Sequence, residues 1–306
     1  MPPKFTSGFV SILGRPNAGK STLLNALVGT KLAIVADKPQ TTRTLIQGIW
    51  STEDAQVIFM DTPGIHRPDS AMNRRMMDAV REALDQRDLL LYVADANAPL
   101  TSAEREAISL IERSGTPAFL VLNKIDRLAD KRKMLPLIEH YRDTFNFAEY
   151  VPVSALNGDG IEELRKAILA HLPEGPQYFP DDQITDQPER FLAAELIREK
   201  ILHETREEVP HAVAVLVDEW EDKPNITRIS ATVYVEREGQ KGILIGAGGA
   251  MLKKVGTLAR GEMEEMLGRH VFLQLFVKVQ PEWRKSGRFL DELDWRRMLG
   301  RESEGV

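Results

Sequence analysis

Short apolar runs alternate with amphipathic stretches through the first half of the chain. The runs are FVSIL from Phe9, VIFMD from Val57, LLLYVAD from Leu89, PAFLVLN from Pro117 and YVPVS from Tyr150, and stretches such as Ser102 to Arg113 place apolar residues at helical spacing between them. Strands with no polar face are buried on both sides, so this alternation predicts a doubly wound α/β domain with a mostly parallel sheet. The pattern breaks after a last helix expected over Ile161 to Leu172. The stretch LPEGPQYFPDDQITDQPE then carries four prolines, a glycine and several acids, which predicts a linker. Beyond it the periodicity predicts a helix over Glu189 to Arg206, strands over Ala212 to Trp220 and Thr227 to Glu236, a helix over Met251 to Leu267 and a strand over His270 to Val279. That α-β-β-α-β order is a different, α+β architecture. The expected division is a first domain over 1–173, a linker over 174–188 and a second domain with a C-terminal extension over 189–306.

Composition narrows the picture little. With 42% hydrophobic and 28% charged residues, 306 residues suffice for two buried cores. A net charge of -6 argues against indiscriminate nucleic-acid coating, so DNA is not expected as a partner and any RNA contact needs a local basic patch. The absence of cysteine excludes disulfides and thiolate metal sites. No apolar run approaches the ~18 residues that read as a membrane span, and nothing before Gly14 resembles a signal peptide, so a cytoplasmic protein is expected; it is read as a monomer.

Four motifs then fall, in order, just past predicted strands. GRPNAGKS (Gly14, Arg15, Pro16, Asn17, Ala18, Gly19, Lys20, Ser21, followed by Thr22) fits the phosphate-loop pattern. Its glycines let backbone N–H groups cradle a β-phosphate at a helix N-terminus, Lys20 reaches the β- and γ-phosphates, and Ser21 ligates Mg²⁺. DTPG places Asp61 toward the Mg²⁺ shell and the Gly64 N–H toward a γ-phosphate. NKID (Asn123, Lys124, Asp126) specifies the base: a carboxylate accepts from both N1–H and the exocyclic amine of guanine, a donor pair adenine lacks. Ser154, Ala155 and Leu156 complete the series. The ligands implied are GTP or GDP with Mg²⁺.

Between the phosphate loop and Asp61 lies a polar stretch, Asp37 to Thr44, whose hydroxyls suit a segment ordered by a γ-phosphate. Thr42 is favoured over Thr41 as its metal ligand, and a loop without a switching role is the alternative. Catalysis is less legible. Ile65 occupies the position of the water-orienting Gln of Ras-like GTPases and cannot polarise water. His66 is adjacent, and Arg15, Arg43 and Arg67 are nearby cations that nothing in the sequence aims at a γ-phosphate. The Asn17 side chain is a candidate ligand for K⁺ at the place of an arginine finger. Catalytic candidates are therefore Lys20, Asn17, Thr42 and Gly64, with slow intrinsic hydrolysis that K⁺ or a partner accelerates.

In the second half, Gly246-Ala247-Gly248-Gly249 fits the GXXG loop with which KH domains clamp single-stranded RNA. Nine Lys or Arg against four Glu between Gln240 and Leu290 supply the local positive charge. Candidate phosphate contacts are Lys241, Lys253, Lys254, Arg260, Lys278, Arg284 and Lys285; Ile243, Ile245, Met251 and Leu252 line a groove or belong to the core.

Taken together, GRPNAGKS, PQTTRT, DTPG, NKID and SAL, followed by IGAGG and VKVQPEWRKSGRFLDEL, resemble the Era family of bacterial GTPases, within the TrmE-Era-EngA-like group, across nearly the whole chain. The resemblance implies a P-loop GTPase domain followed by a type II KH domain. It also implies binding to the 3′ end of small-subunit (16S) ribosomal RNA and a role in maturing the small ribosomal subunit. It accounts for the hydrophobic Ile65 and for Asn17, which K⁺-stimulated relatives share. Ala247 and Gly248 depart from the Lys often found inside GXXG, which shifts phosphate contact toward backbone N–H groups and Lys253 or Lys254. The alternative reading is an assembly or signalling GTPase whose KH-like domain binds protein, or a membrane surface peripherally through its basic face. A scaffold with vestigial hydrolysis is a third.

Overall fold

The computed structural model describes residues 5–38, 40–65, 70–206 and 209–296. Its contacts group residues 5–33, 42–65 and 73–186 into one compact unit, and 34–38, 40–41, 70–72 and 187–296 into another.

Along the first 172 residues run β1 (Thr6–Gly14), α1 (Lys20–Val28), β2 (Ile46–Ser51), β3 (Ala55–Asp61), α2 (Ala71–Leu84), β4 (Leu89–Asp95), α3 (Ser102–Ser114), β5 (Ala118–Asn123), α4 (Met134–Arg142), β6 (Glu149–Pro152) and α5 (Ile161–His171). The strands form one sheet in the order β2-β3-β1-β4-β5-β6, in which only β2 is antiparallel to its neighbour. Every residue of β3 and β5 is buried, as expected of strands covered on both faces. Strand β2 is an addition to the sequence reading. Its centre is Gly48, where a Cβ would stand 2.8 Å from Leu24 and Val28 side chains, so close packing on α1 leaves no β-branched signal there.

The proline-rich stretch is not a loose tether within this unit. Ile49 N–H donates to Ile184 C=O at 2.8 Å and the Thr185 hydroxyl to Gln47 C=O at 2.7 Å, so the stretch lies along the outer edge of β2. Buried Gln56 accepts from the N–H groups of Tyr178 and Phe179 and donates to Phe179 C=O.

The second unit contains α6 (Glu189–Glu204), α7 (Val209–Ala212), β7 (Ala214–Lys223), β8 (Ile226–Val235), α8 (Glu238–Ile245), α9 (Ala250–Leu267), β9 (His270–Val279) and α10 (Gly287–Glu292). Its sheet runs β7-β8-β9, antiparallel then parallel. The order corrects the expected α-β-β-α-β, because α8 stands between β8 and the glycine loop. Two glycines in its eight residues, EGQKGILI, weaken the helical signal. Ile197, Ile201, Val233, Leu244, Val255 and Met263 share one core. The C-terminal extension is structural: Trp283 is fully buried and donates through Nε1 to Ala212 C=O at 2.8 Å. Among the described residues no helix is long and apolar enough to cross a membrane.

Candidate functional site

Strand β1 ends at Gly14, which has a φ of 147°; a Cβ there would stand 2.3 Å from the Val93 carbonyl oxygen, so the position admits no side chain. The loop then turns through Asn17 at φ 62° and Gly19 at φ 93° into α1. Asn17 is exposed, Ala18 is buried, and Arg15, Pro16, Ser21 and Thr22 are half-buried. Backbone N–H groups at the start of α1 have no intrahelical acceptor, which is the arrangement that receives phosphate oxygens.

Lys20 and Asp61 are both buried behind this loop. Lys20 Nζ donates to Arg15 C=O at 3.0 Å. Burial pushes its ammonium down to about 8, against the pull of the Asp61 carboxylate. Burial likewise raises the Asp61 carboxyl to about 6, opposed by Lys20, by the hydroxyls of Ser21 and Thr42 and by the Thr62 N–H. Asp61 Oδ2 accepts from the Ser21 hydroxyl at 2.6 Å, and Thr42 Oγ1 stands 2.7 Å from Ser21 Oγ and 3.5 Å from Asp61 Oδ2. Among the described residues, Asp61 Oδ1 is buried without a hydrogen-bond partner. A buried cation and a buried anion, each shifted by burial toward neutrality, with an unpartnered carboxylate oxygen beside two hydroxyls, fit a triphosphate and Mg²⁺. Thr41 is directed elsewhere: its hydroxyl donates to Lys38 C=O at 2.6 Å.

On the base side, Asn123 staples three loops together. Its Nδ2 donates to Ala18 C=O at 3.0 Å, and its Oδ1 accepts from the N–H groups of Lys124 and Ala155. Lys124, at φ 66°, sends Nζ to Asn17 C=O at 2.6 Å and to Asp95 Oδ2 at 2.8 Å. Asp126 Oδ1 accepts from the Ser154 hydroxyl at 2.6 Å, leaving its other oxygen for a base. Leu156 is exposed.

Two carboxylates at this site carry no sequence motif. Asp95 ends β4 and also accepts from Asn97. Burial pushes its carboxyl up, but Lys124 and Asn97 outweigh that and hold it below the ordinary range. Its position at the carboxyl end of a parallel strand was the available signal. Glu104 is buried in the first turn of α3, accepting from Thr101 N–H at 2.8 Å and Tyr141 Oη at 3.0 Å. It also engages Arg15, whose Nη1 lies 3.9 Å from Glu104 and 3.2 Å from Thr101 Oγ1.

Gly64 is buried with the Pro16 ring against it, and Ile65 packs into the apolar cluster around Tyr92 and Ile108. His66 and Arg67 lie outside the described residues.

In the second unit, Gly246, Gly248 and Gly249 all have positive φ, at 72°, 57° and 81°. A Cβ on Gly246 would meet the Met251 backbone, whereas at Gly248 and Gly249 nothing lies within 4 Å. The loop therefore presents bare backbone at the N-terminus of α9. Ala247 and Lys253 are exposed beside it, and Ile245 and Lys241 are half-buried. Other predicted contacts have protein partners: Lys254 pairs with Glu204 at 2.6 Å, Arg284 with Glu236 at 2.5 Å and Lys285 with Glu282 at 2.5 Å. Lys278 is exposed on β9.

Two families of known domains match the sequence in turn, 50S ribosome-binding GTPases over residues 9–124 and KH domains over 208–284. The GTPase Era of Syntrophus aciditrophicus is 50% identical over 293 residues, 95% of this chain and 95% of that protein. The GTPase Era of Geobacter metallireducens is 49% identical over 293 residues, 95% and 98% of the two. Among solved structures, a variant of Aquifex aeolicus Era bound to GDP·AlF4⁻ matches with a TM-score of 0.92 at 40% identity, covering 95% of this chain and 99% of that one. Era in complex with MgGDPNP and nucleotides 1506–1542 of 16S ribosomal RNA gives 0.93 at 40% identity and the same coverage. With half its residues shared over nearly its full length and both domains in order, the chain belongs to the Era family of GTP-hydrolysing enzymes with a KH domain.

Proposed function

We propose that this GTPase binds the 3′ end of 16S ribosomal RNA through its KH domain and assists maturation of the small ribosomal subunit, with the bound nucleotide as the switch. The observation that carries the reading is the glycine loop at 246–249, where Gly248 and Gly249 leave the backbone uncovered by any side chain, in open space at the start of an 18-residue helix. A sugar-phosphate backbone approaches that surface without meeting a side chain. The relative solved with MgGDPNP and 16S nucleotides supports the choice of ligand.

Mg²⁺ would be held by Ser21, Thr42 and Asp61, and when bound it withdraws charge from the β- and γ-phosphates. Lys20 neutralises the same oxygens, and the loop N–H groups fix their positions. Asp126 reads guanine while Asn123 and Lys124 hold its loop. The aliphatic side chain of Ile65 cannot orient water, so hydrolysis by the chain alone is slow, and Asn17 is assigned to a K⁺ that offsets charge developing on the phosphates.

The reading is tested by titrating a short single strand carrying the 16S 3′ end against the GDPNP and GDP forms, with a scrambled strand as control. Sequence-selective, nucleotide-dependent binding supports it. Equal binding of both strands overturns it.

A further inference from the structure

The end of strand β4 meets the guanine loop at three points, all within the first unit. Ala96 N–H donates to Asn123 C=O at 2.8 Å, Asn97 Nδ2 to Lys124 C=O at 3.0 Å, and Lys124 Nζ to Asp95 Oδ2 at 2.8 Å. The first two contacts hold backbone. The third holds an ammonium that also donates to Asn17 C=O, in the phosphate loop, at 2.6 Å. Asn17 and Lys124 have φ values of 62° and 66°, a left-handed conformation that a residue with a side chain keeps where neighbouring contacts hold it. The bond between them therefore joins two conformationally costly positions, one in each loop.

A lysine alone is a poor pin. Its four-carbon stem has many rotamers, and at a half-buried position water competes with the carbonyl for its ammonium. Asp95 removes that freedom. Its Oδ1 accepts from Asn97 N–H at 2.9 Å and from Asn97 Nδ2 at 3.2 Å, which fixes the carboxylate plane and aims Oδ2 at the ammonium. With side-chain exposures of 18% for Lys124 and 25% for Asp95, such an ion pair contributes little to folding, and its product is a position. We propose that Asp95 is a positioning residue for the guanine nucleotide: by pinning the Lys124 ammonium to Asn17 C=O it locks the guanine loop to the phosphate loop and sets how long a bound nucleotide stays. A nucleotide held at its base and at its phosphates leaves when the two loops part, so the lock acts on dissociation rather than on association.

This role for Asp95 rests on the reading of Lys124 as part of the guanine site, so Lys124→Met is run beside Asp95→Asn, alone and combined with it. Asp95→Asn keeps the size and an acceptor for the Asn97 N–H while turning an amide toward the ammonium. The full chain is loaded with a fluorescent GDP analogue and chased with excess GDP, and its affinities for GDP and inosine diphosphate are compared by competition. Inosine diphosphate lacks the exocyclic amine assigned to Asp126, so the ratio of the two affinities reports the base contact itself. Dissociation should be roughly tenfold faster in Asp95→Asn and at least as fast in Lys124→Met, with the combined variant within roughly twofold of Lys124→Met because both changes break one lock. The affinity ratio should stay close to wild type in Asp95→Asn. Unchanged dissociation in Asp95→Asn beside faster dissociation in Lys124→Met overturns the proposal. So do effects that multiply in the combined variant, or a collapsed affinity ratio, since either marks a general loosening of the loop. If Lys124→Met also leaves dissociation unchanged, the assignment of Lys124 fails and the role of Asp95 with it. Should Asp95→Asn not fold, Asp95→Ser, whose hydroxyl still accepts from the Asn97 N–H but is too short to reach the ammonium, decides by the same measurements.

Discussion

Gly19 and Asn123 share a corner with no spare room: a Cβ on Gly19 would stand 2.3 Å from Asn123 Nδ2, the atom that holds Ala18 C=O at 3.0 Å. Gly19→Ala should therefore spoil the phosphate loop and the guanine loop together. Calorimetry should show GTP and GDP affinities lowered by roughly a hundredfold or more, from displaced Asn123 and a strained φ of 93° combined. Gly268→Ala is the comparison. It has a similar left-handed φ of 64° but nothing within 4 Å, so it should cost about 1 kcal/mol of stability and leave nucleotide binding unchanged.

Nucleotide binding should move protons in opposite directions at the two ends of the neutral range. At pH 6 about half of the Asp61 carboxyl, raised to about 6, is protonated, and Mg²⁺ beside it expels that proton. At pH 8 about half of Lys20, lowered to about 8, is neutral, and phosphate draws a proton onto it. Titration calorimetry of Mg²⁺ and GDP in buffers of different ionisation enthalpy should give release near pH 6 and uptake near pH 8. Affinity should fall below pH 6 and above pH 8.

Asp126→Asn replaces an acceptor with an amide that offers a donor where guanine also donates. The variant should lose GTP affinity by roughly a hundredfold and gain xanthosine triphosphate by a similar factor, read from competition for a fluorescent nucleotide. Since Asp126 also accepts from Ser154, Ser154→Ala should show a smaller loss without the change of preference.

For the glycine loop, Gly248→Asp puts a carboxylate and a left-handed strain into open space at φ 57°. Binding of the 16S 3′ strand should be abolished while GDP affinity stays within error. RNA affinity that survives this substitution would remove the loop from the interface.

Asn17→Ala should erase any acceleration of turnover by K⁺ over Na⁺ while leaving GDP affinity close to wild type. Equal rates in the two salts for the unaltered chain would remove the cation from the scheme.

What the sequence disclosed divides along physical lines. Strands buried on both faces announce themselves, so β1, β3, β4 and β5 were legible, as were loops whose chemistry demands fixed residue types. Strand β2 was hidden because Gly48 and Gln47 interrupt its apolar run, and α8 because glycine weakens a short helix. Asp95 and Glu104 looked like any acid, since nothing in their own neighbourhoods shows which cation they will meet. Arg198 and Glu199 read as part of a solvated face until Val35 and Thr41, far away in sequence, are found bonded to them.

Dissection of the molecule should respect the strip of chain laid against β2. A first unit cut at residue 173, where the last helix suggests a boundary, would shed the stretch that supplies Ile184 C=O to Ile49 and covers the side chain of Gln56. It would expose an open strand edge to self-association. A cut after residue 186 keeps that edge sealed, and a fragment made this way is the one whose aggregation behaviour reflects the GTPase rather than the scissors.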